Sequence, residues 1–495
     1  MEILTSLFQI LKPALIHLIW FLPLIILIRH ILKVWLGKGW EWFVLVLYFG
    51  SFYLKSWIWI FWVLFFMYLF LFFYFEWIQE HFASKKKYVL LELIPPPEIK
   101  KPFKIMESVY DLLWGLFFMR PNWKERWTEG IPPIDLVRGR ATIEIVSFGG
   151  KVHYYFWCES SAVERVKSAF YSQFPEMEIL EVEDYTLKIP KNIPNQKWDL
   201  YSEEFTFLNN EIYPIRTYSM FWEVPLEEKR VIEEKRIDPL TTLLEKLIAL
   251  QSGEQYWLQI GFFPIGEGDG FFFSEAKREI EALGKGKKPT KERNPILKEI
   301  DFLIDTFREI LGGPRVQPSI SQGKKEFYPE TMLTPAEKEI LKALETKSMK
   351  KCFNCWIRIV HLYKKDEPHN KSNFLIARDY FHLFTHKMNG IVFFGPKRTK
   401  IFHWLIERRN YVRKRRNLRE YLARIPPNIS LGGIRGEPVH LIDFGFYPKG
   451  PGKWKKGTIV LSSEELATIF HFPLVSNLPG LPRVLSKKTA PPFVF

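Results

Sequence analysis

The chain has 495 residues, with 70 Lys and Arg against 55 Asp and Glu for a formal net charge of +15, and only three cysteines. That length allows two or more folded cores. Three cysteines are too few for a disulfide scaffold and fit a reducing compartment, while the basic balance admits anionic lipid, nucleic acid or plain solubility as its reason.

Residues 1–84 are almost wholly apolar from Ile3 to Phe82, and Ser56 to Phe75 contains no charged side chain. Such a run is long enough to cross about 30 Å of hydrocarbon as one helix. Ala14 to Ile28 offers a second span, and the shorter Trp40 to Leu54 a third. The spacing therefore predicts a membrane anchor of two or three transmembrane helices. Three spans place Arg29, Lys33 and Lys38 on the same side as Lys85, Lys86 and Lys87, which favours an inner-membrane protein with its body in the cytoplasm.

Residues 85–135 read as a juxtamembrane strand, Tyr88 to Ile94, stopped by Pro95, Pro96 and Pro97, which lack the ladder donor. An amphipathic helix over Lys104 to Phe118, close to the bilayer, and a Trp- and Pro-rich linker follow. Residues 136–264 hold a first α+β half and the start of a second. Ala141 to Ser147 and Lys151 to Trp157 alternate about Gly149-Gly150, a hairpin signal. Ser161-x-x-Glu164 has the form of a capping box for a helix carrying Val163, Val166, Phe170 and Phe174, and Glu178 to Val182 is strand-like. Ile212 to Met220 then reads as a strand, Asp238-Pro239 as a helix start, and Tyr256 to Phe263 as a strand.

Residues 265–332 form a helical insertion, with Asn294 to Leu311 its best helix. Residues 333–396 complete the second half through a helix capped at Thr334, a strand from Cys352 to Tyr363, a helix from Asn373 to His386 and a strand from Gly390 to Phe394. The fold class expected is α+β, transmembrane helices followed by two ferredoxin-like α/β-sandwich halves with a helical insertion.

Residues 397–430 are a basic helix in which Arg408, Arg409, Arg413, Lys414, Arg415, Arg416 and Arg419 are candidate contacts for phosphate, on lipid or nucleic acid. Residues 431–495 add strands at Val439 to Tyr447 and Gly457 to Leu461, a short helix capped by Ser462-x-x-Glu465, and a Pro-rich tail. In that tail Leu478, Pro479, Leu481, Pro482, Phe493 and Phe495 are candidates for docking on a partner.

Catalytic signatures fail on spacing. Gly284-Lys285-Gly286 and Gly395-Pro396-Lys397 do not make a phosphate-binding loop, and Gly266 to Gly270 lacks the remaining ligands of a calcium loop. Cys352-x-x-Cys355 has no second pair to complete a zinc site. Cys158, Cys352 and Cys355 read as structural thiols, and His153, His361, His382 and His471 as scattered structural residues. No catalytic residue, cofactor or metal is expected.

Several strings taken together resemble a known family. They are Tyr88-Val-Leu-Leu-Glu-Leu-Ile-Pro with Met106-Glu107, Ile143-Glu-Ile-Val-Ser-Phe, Phe174-Pro-Glu-Met-Glu-Ile, Val182-Glu-Asp-Tyr, Tyr213-Pro-Ile-Arg-Thr-Tyr, Asp238-Pro-Leu, Gly253-Glu-Gln-Tyr-Trp-Leu-Gln-Ile, Leu333-Thr-Pro-Ala-Glu-Lys and Leu461-Ser-Ser-Glu-Glu-Leu-Ala-Thr-Ile-Phe-His-Phe-Pro. They look like the front, non-ATPase half of membrane-anchored type IV secretion or conjugation coupling proteins of the HerA/FtsK superfamily from candidate-phylum bacteria. In that family a motor domain follows the last string; here only Leu478 to Phe495 remain, and no ATPase residue carries over. The resemblance implies a non-catalytic component of a DNA or protein export machine, with a HerA/FtsK-like motor ATPase acting in trans and a homo-oligomer possible. The alternatives are an adaptor for anionic lipid or nucleic acid, and a membrane enzyme without a recognisable motif.

Overall fold

The computed structural model describes residues 85–118 apart from 97, 98, 100 and 101, then 140–219, 238–267, 272–284, 333–394, 406–425 and 458–473, with scattered positions between 63 and 81 and at 122, 124, 125, 398 and 399. The chain divides into two compact units, one of Met1–Lys85 and Pro121–Pro133, the other of Lys86–Arg120 and Ile134–Phe495. The second unit holds all the strands among the described residues, β1 (Tyr88–Ile94), β2 (Ala141–Phe148), β3 (Lys151–Glu159), β4 (Glu178–Val182), β5 (Trp198–Phe207), β6 (Glu254–Ile265), β7 (Cys352–Lys364), β8 (Ile391–Phe393) and β9 (Ile459–Ser462). Its helices are α1 (Pro102–Phe117), α2 (Val163–Gln173), α3 (Pro239–Ile248), α4 (Phe272–Gly284), α5 (Pro335–Met349), α6 (Ile376–His382), α7 (Ile406–Leu422) and α8 (Ser463–Ile469).

The strands make one nine-stranded sheet in the order β4-β1-β3-β2-β6-β7-β5-β8, with β9 beside β7. Every pairing is antiparallel. Each set of four strands runs β-α-β-β-α-β along the chain with spatial order 4-1-3-2, and the two sets are fused edge to edge through β2 and β6. β7, with 13 residues, is long enough to pair β5 along its second half and β9 along its first.

One face of the sheet carries the main core. Leu91, Ile143, Ile145, Phe156, Leu258, Ile260, Ile357 and Ile359 meet the apolar sides of α1, α2, α3, α6 and α8 there, as expected when successive strand residues point to opposite faces. Local chemistry fixes the element ends. Asp238 accepts from Leu240 N–H at 2.8 Å with Pro239 in the first turn of α3, and Thr334-Glu337 and Ser462-Glu465 form capping boxes on α5 and α8. The β2–β3 turn needs Gly150, at φ +89°, because a Cβ there would also come within 2.5 Å of the Ile248 carbonyl oxygen.

Several expectations are corrected. Among the described residues no helix is long and apolar enough to cross a membrane. The longest, α7, has 17 residues and is densely charged, and α1 has 16, short of the roughly 20 apolar residues a span requires. The expected N-terminal transmembrane helices are therefore not found among the described residues. The expected spans at 14–28 and 40–54, and most of the one at 56–75, lie outside the described residues. The strands of the two expected α/β-sandwich halves lie in a single nine-stranded sheet. α1 buries Phe103, Met106, Val109, Tyr110, Leu113 and Phe117 in the core, the fate of an apolar stripe that meets a sheet.

Ser161 does not cap α2. A short 3-10 turn, Ser160–Ala162, comes first, and the Ser161 hydroxyl donates to Glu159. Of the strand expected from Ile212 to Met220, the described residues 212–219 are not a strand; the strand that opens the second set is β5. The expected elements at Asn294–Leu311 and Val439–Tyr447 lie outside the described residues.

Candidate functional site: a basic helix clamped to the sheet

The opposite face of the sheet presents a row of polar side chains in register. Glu92 on β1 faces Tyr155 on β3, which faces Glu144 on β2, then Gln259 on β6, Arg358 on β7 and Glu204 on β5. Beside this row lies a smaller apolar cluster with Leu90, Val146, Trp157, Leu200, Trp257, Val360 and Leu362, into which α7 inserts Leu418 and Tyr421.

Glu144 is the centre of the clamp. Fully buried, it accepts from Thr142 Oγ1, Gln259 Nε2, Tyr185 O–H and Arg424. Since the single Tyr185 hydroxyl proton goes to Glu144, its oxygen accepts from Tyr421 O–H at 2.8 Å. Arg424 also forks onto Asp184, at 2.6 and 3.1 Å. Burial acts to raise Asp184's pKa, but the Arg424 guanidinium and the Thr186 N–H outweigh it and hold the carboxyl below its ordinary range. Burial likewise disfavours charge on Arg424, and the Glu144 and Asp184 carboxylates more than offset it.

Arg424 has φ +50°, a left-handed position that glycine usually fills at a helix end. Ile425 N–H reaches back to the Glu420 carbonyl at 3.4 Å, closing the last turn. The strained residue is held by its ion pairs, so the end of α7 is fixed by charge.

The structure sorts the seven basic residues predicted on this helix. Arg408, Arg409, Arg415, Arg416 and Arg419 are exposed, whereas Arg413 and Lys414 are half-buried. Lys414 pairs with Asp199 at 2.6 Å, and Arg413 donates to the Arg398 carbonyl at 2.9 Å. Burial, then the neighbouring Arg409 and Arg416, lowers the Arg413 pKa. Arg416 bonds Glu420 at 2.9 Å and Arg415 donates to the Tyr411 hydroxyl at 3.0 Å. Positions 408, 415 and 419 follow one side of a helix, spaced roughly 6 to 10 Å along its axis, with Tyr411 and Val412 exposed among them. Chemically this is a row of guanidinium forks on a fixed helix, suited to phosphate oxygens.

The other candidates do not assemble a reactive centre among the described residues. Cys352 and Cys355 lie in different clusters on opposite faces of β7. Burial pushes the Cys158 and Cys352 thiols up to about 12 and Cys355 well above its usual value. His153, His361 and His471 each sit beside a carboxylate, Glu92, Glu254 and Asp238 respectively. No group of three or more His, Cys, Asp or Glu that could hold a metal occurs among the described residues. The six docking candidates from Leu478 to Phe495 lie outside them.

Sequence reasoning missed Glu144, Asp184, Arg358, Glu204 and the anchoring role of Arg424. Glu144, Arg358 and Arg424 are isolated charges in the sequence, Asp184 and Glu204 each adjoin another acid, and only the fold brings them together. Comparison with protein-family models, with curated proteins and with solved structures found no match to this chain.

Proposed function

We propose that this chain is a non-catalytic component of an export machine of the type IV secretion or conjugation kind, that α7 is its nucleic-acid-contacting surface, and that a motor ATPase acts in trans. The observation that supports this reading is the division of α7 into two sides. Leu418, Tyr421, Lys414 and Arg424 pin one side to the sheet, while Arg408, Arg409, Arg415, Arg416 and Arg419 face outward. A helix held this firmly presents its guanidinium groups from a fixed backbone, so little backbone freedom is lost on engaging a phosphate backbone. The exposed Tyr411 among the arginines adds a ring on which a base can stack, a contact that anionic lipid does not use. The export context and the separate motor come from the resemblance of the front-half strings.

The test is fluorescence anisotropy of a labelled single-stranded oligonucleotide titrated with the full chain across a NaCl series. Engagement of four or five phosphates gives a slope of log affinity on log salt of about −3. The variant R408E/R409E/R415E/R419E is expected to lose most of that slope while melting at the wild-type temperature. Equal binding by the two proteins, or binding to anionic vesicles with none to the oligonucleotide, overturns the nucleic-acid reading. ATP hydrolysis by the purified chain that a point mutation in it abolishes overturns the non-catalytic one.

A further inference from the structure

The polar row is satisfied on one side and not on the other. Glu144 accepts from four side chains, but two strands away the side chains are short of partners. Arg358, 1 % exposed, has Nη2 at 3.0 Å from Glu204 Oε1, an ion-pair distance without hydrogen-bond alignment, and its Nε and Nη1 N–H groups are buried without a hydrogen-bond acceptor. The Trp356 indole N–H, two residues back on the same face of β7, is also without one. That ring lies directly across Gly261 of β6, where a Cβ would come within 2.0 Å of it, so its position is set by the missing side chain.

Gln259, directly opposite Arg358, contributes the reverse polarity. Its Nε2 donates to Glu144 Oε1 and to the Tyr421 carbonyl, both of which can only accept, so the amide orientation is determined. Oε1 is then a buried acceptor with no donor. A third guanidinium, that of Arg140, lies 5.2 Å from the Trp157 ring and 5.6 Å from Tyr88. Burial lowers its pKa, and the charges of Arg424 and Arg358 act in the same direction, so the three arginines share one electrostatic neighbourhood.

We propose that Arg358, Trp356 and Gln259 form a binding site for a small tetrahedral oxyanion, hydrogen phosphate in particular, on the face of β6 and β7 and distinct from the exposed arginines of α7. The donors of Arg358 and Trp356 suit oxyanion oxygens, and the Gln259 carbonyl suits an acidic P–O–H. Sulfate, which has no proton to donate near neutral pH, fills only part of this set. Glu204 keeps the Nη2 side of the guanidinium, and the oxyanion takes the other N–H groups.

The probe is inorganic phosphate, added at millimolar concentration to the full chain at constant ionic strength, with sulfate and chloride in parallel and thermal melting as the readout. A site gives a rise in melting temperature that saturates, larger for phosphate than for sulfate and absent for chloride. Exclusion of salt from the protein surface gives a rise that grows steadily into the molar range. The charge-neutral pair R358Q/E204Q is expected to abolish the saturating part, and W356F, which keeps the ring over Gly261, to weaken phosphate binding several-fold. The variant R408E/R415E/R419E is expected to leave it unchanged. The site is refuted by a non-saturating rise in the wild type, by a W356F response equal to wild type, or by loss of the response in the α7 variant. The last result places the phosphate on α7.

Discussion

Arg424, at the end of α7, and Glu144, in the middle of β2, are 280 residues apart in sequence and meet through two hydrogen bonds, Nε to Oε1 at 2.8 Å and Nη2 to Oε2 at 3.1 Å. Truncating either partner of a buried pair leaves the other charge without compensation, which costs about 3–5 kcal/mol. Arg424→Met is therefore expected to lower the unfolding free energy by about that amount, and Arg424→Met with Glu144→Gln by clearly less than the sum of the two single changes. Urea unfolding of the four proteins measures this. Additive single changes would show that the two side chains do not interact.

The same pair shows what the sequence could and could not disclose. Regular alternation and cap chemistry made the β2–β3 hairpin, α3, α5, β7 and α8 legible, because those signals are local. β5 escaped because its sequence, Trp-Asp-Leu-Tyr-Ser-Glu-Glu-Phe-Thr-Phe, puts two adjacent glutamates in mid-strand. Both are buried, Glu203 against Arg378 on the helix-covered face and Glu204 against Arg358 on the other. A buried ion pair looks polar in a hydrophobicity pattern although it packs as core. Conversely, Ile212 to Met220 has strand-like composition, but the Ile215 and Tyr218 N–H groups are taken by the side chains of Glu465 and Thr468 on α8. Its hydrogen bonds go to a helix 250 residues away, a choice no local pattern records.

The contact between α1, α5 and α8 sets a pH dependence. Burial raises the Glu464 pKa, but hydrogen bonds from Lys350 and Ser219 overcome it and leave the group below its usual 4.5. Lys350, despite burial, is held above its usual 10.5 by Glu107 and Glu464. The Glu464 contribution is complete above pH 4.5 and is lost as pH falls through the lower native value; the Lys350 contribution is complete below pH 10.5 and is lost as pH rises through the higher native one. Asp184, depressed in the same sense as Glu464, adds to the acid limb from 3.8 downward. Urea midpoints are expected to be flat with respect to these groups from about pH 5 to 10 and to fall on either side. Glu464→Gln should flatten the acid limb; an unchanged slope would assign that limb to other carboxylates.

The basic helix offers a separation of structure from binding. A block of Arg413, Lys414, Arg415 and Arg416 is the obvious target in the sequence, but it mixes two kinds of residue. Arg413 and Lys414 are tied to the Arg398 carbonyl and to Asp199, so R413E/K414E turns a salt bridge into a repulsion and buries a carboxylate beside a backbone oxygen. Arg408, Arg415 and Arg419 lie on the exposed side, where charge reversal removes little folding energy because solvent screens it. R413E/K414E is accordingly expected to lower the urea midpoint, and R408E/R415E/R419E to leave that midpoint in place while weakening oligonucleotide binding by one to two orders of magnitude at low salt, roughly the effect of losing a few phosphate contacts. Measured on the same preparations, the two variants should move different observables. If R408E/R415E/R419E instead unfolds the chain as readily as R413E/K414E, the exposed arginines belong to the fold and α7 is not a binding surface.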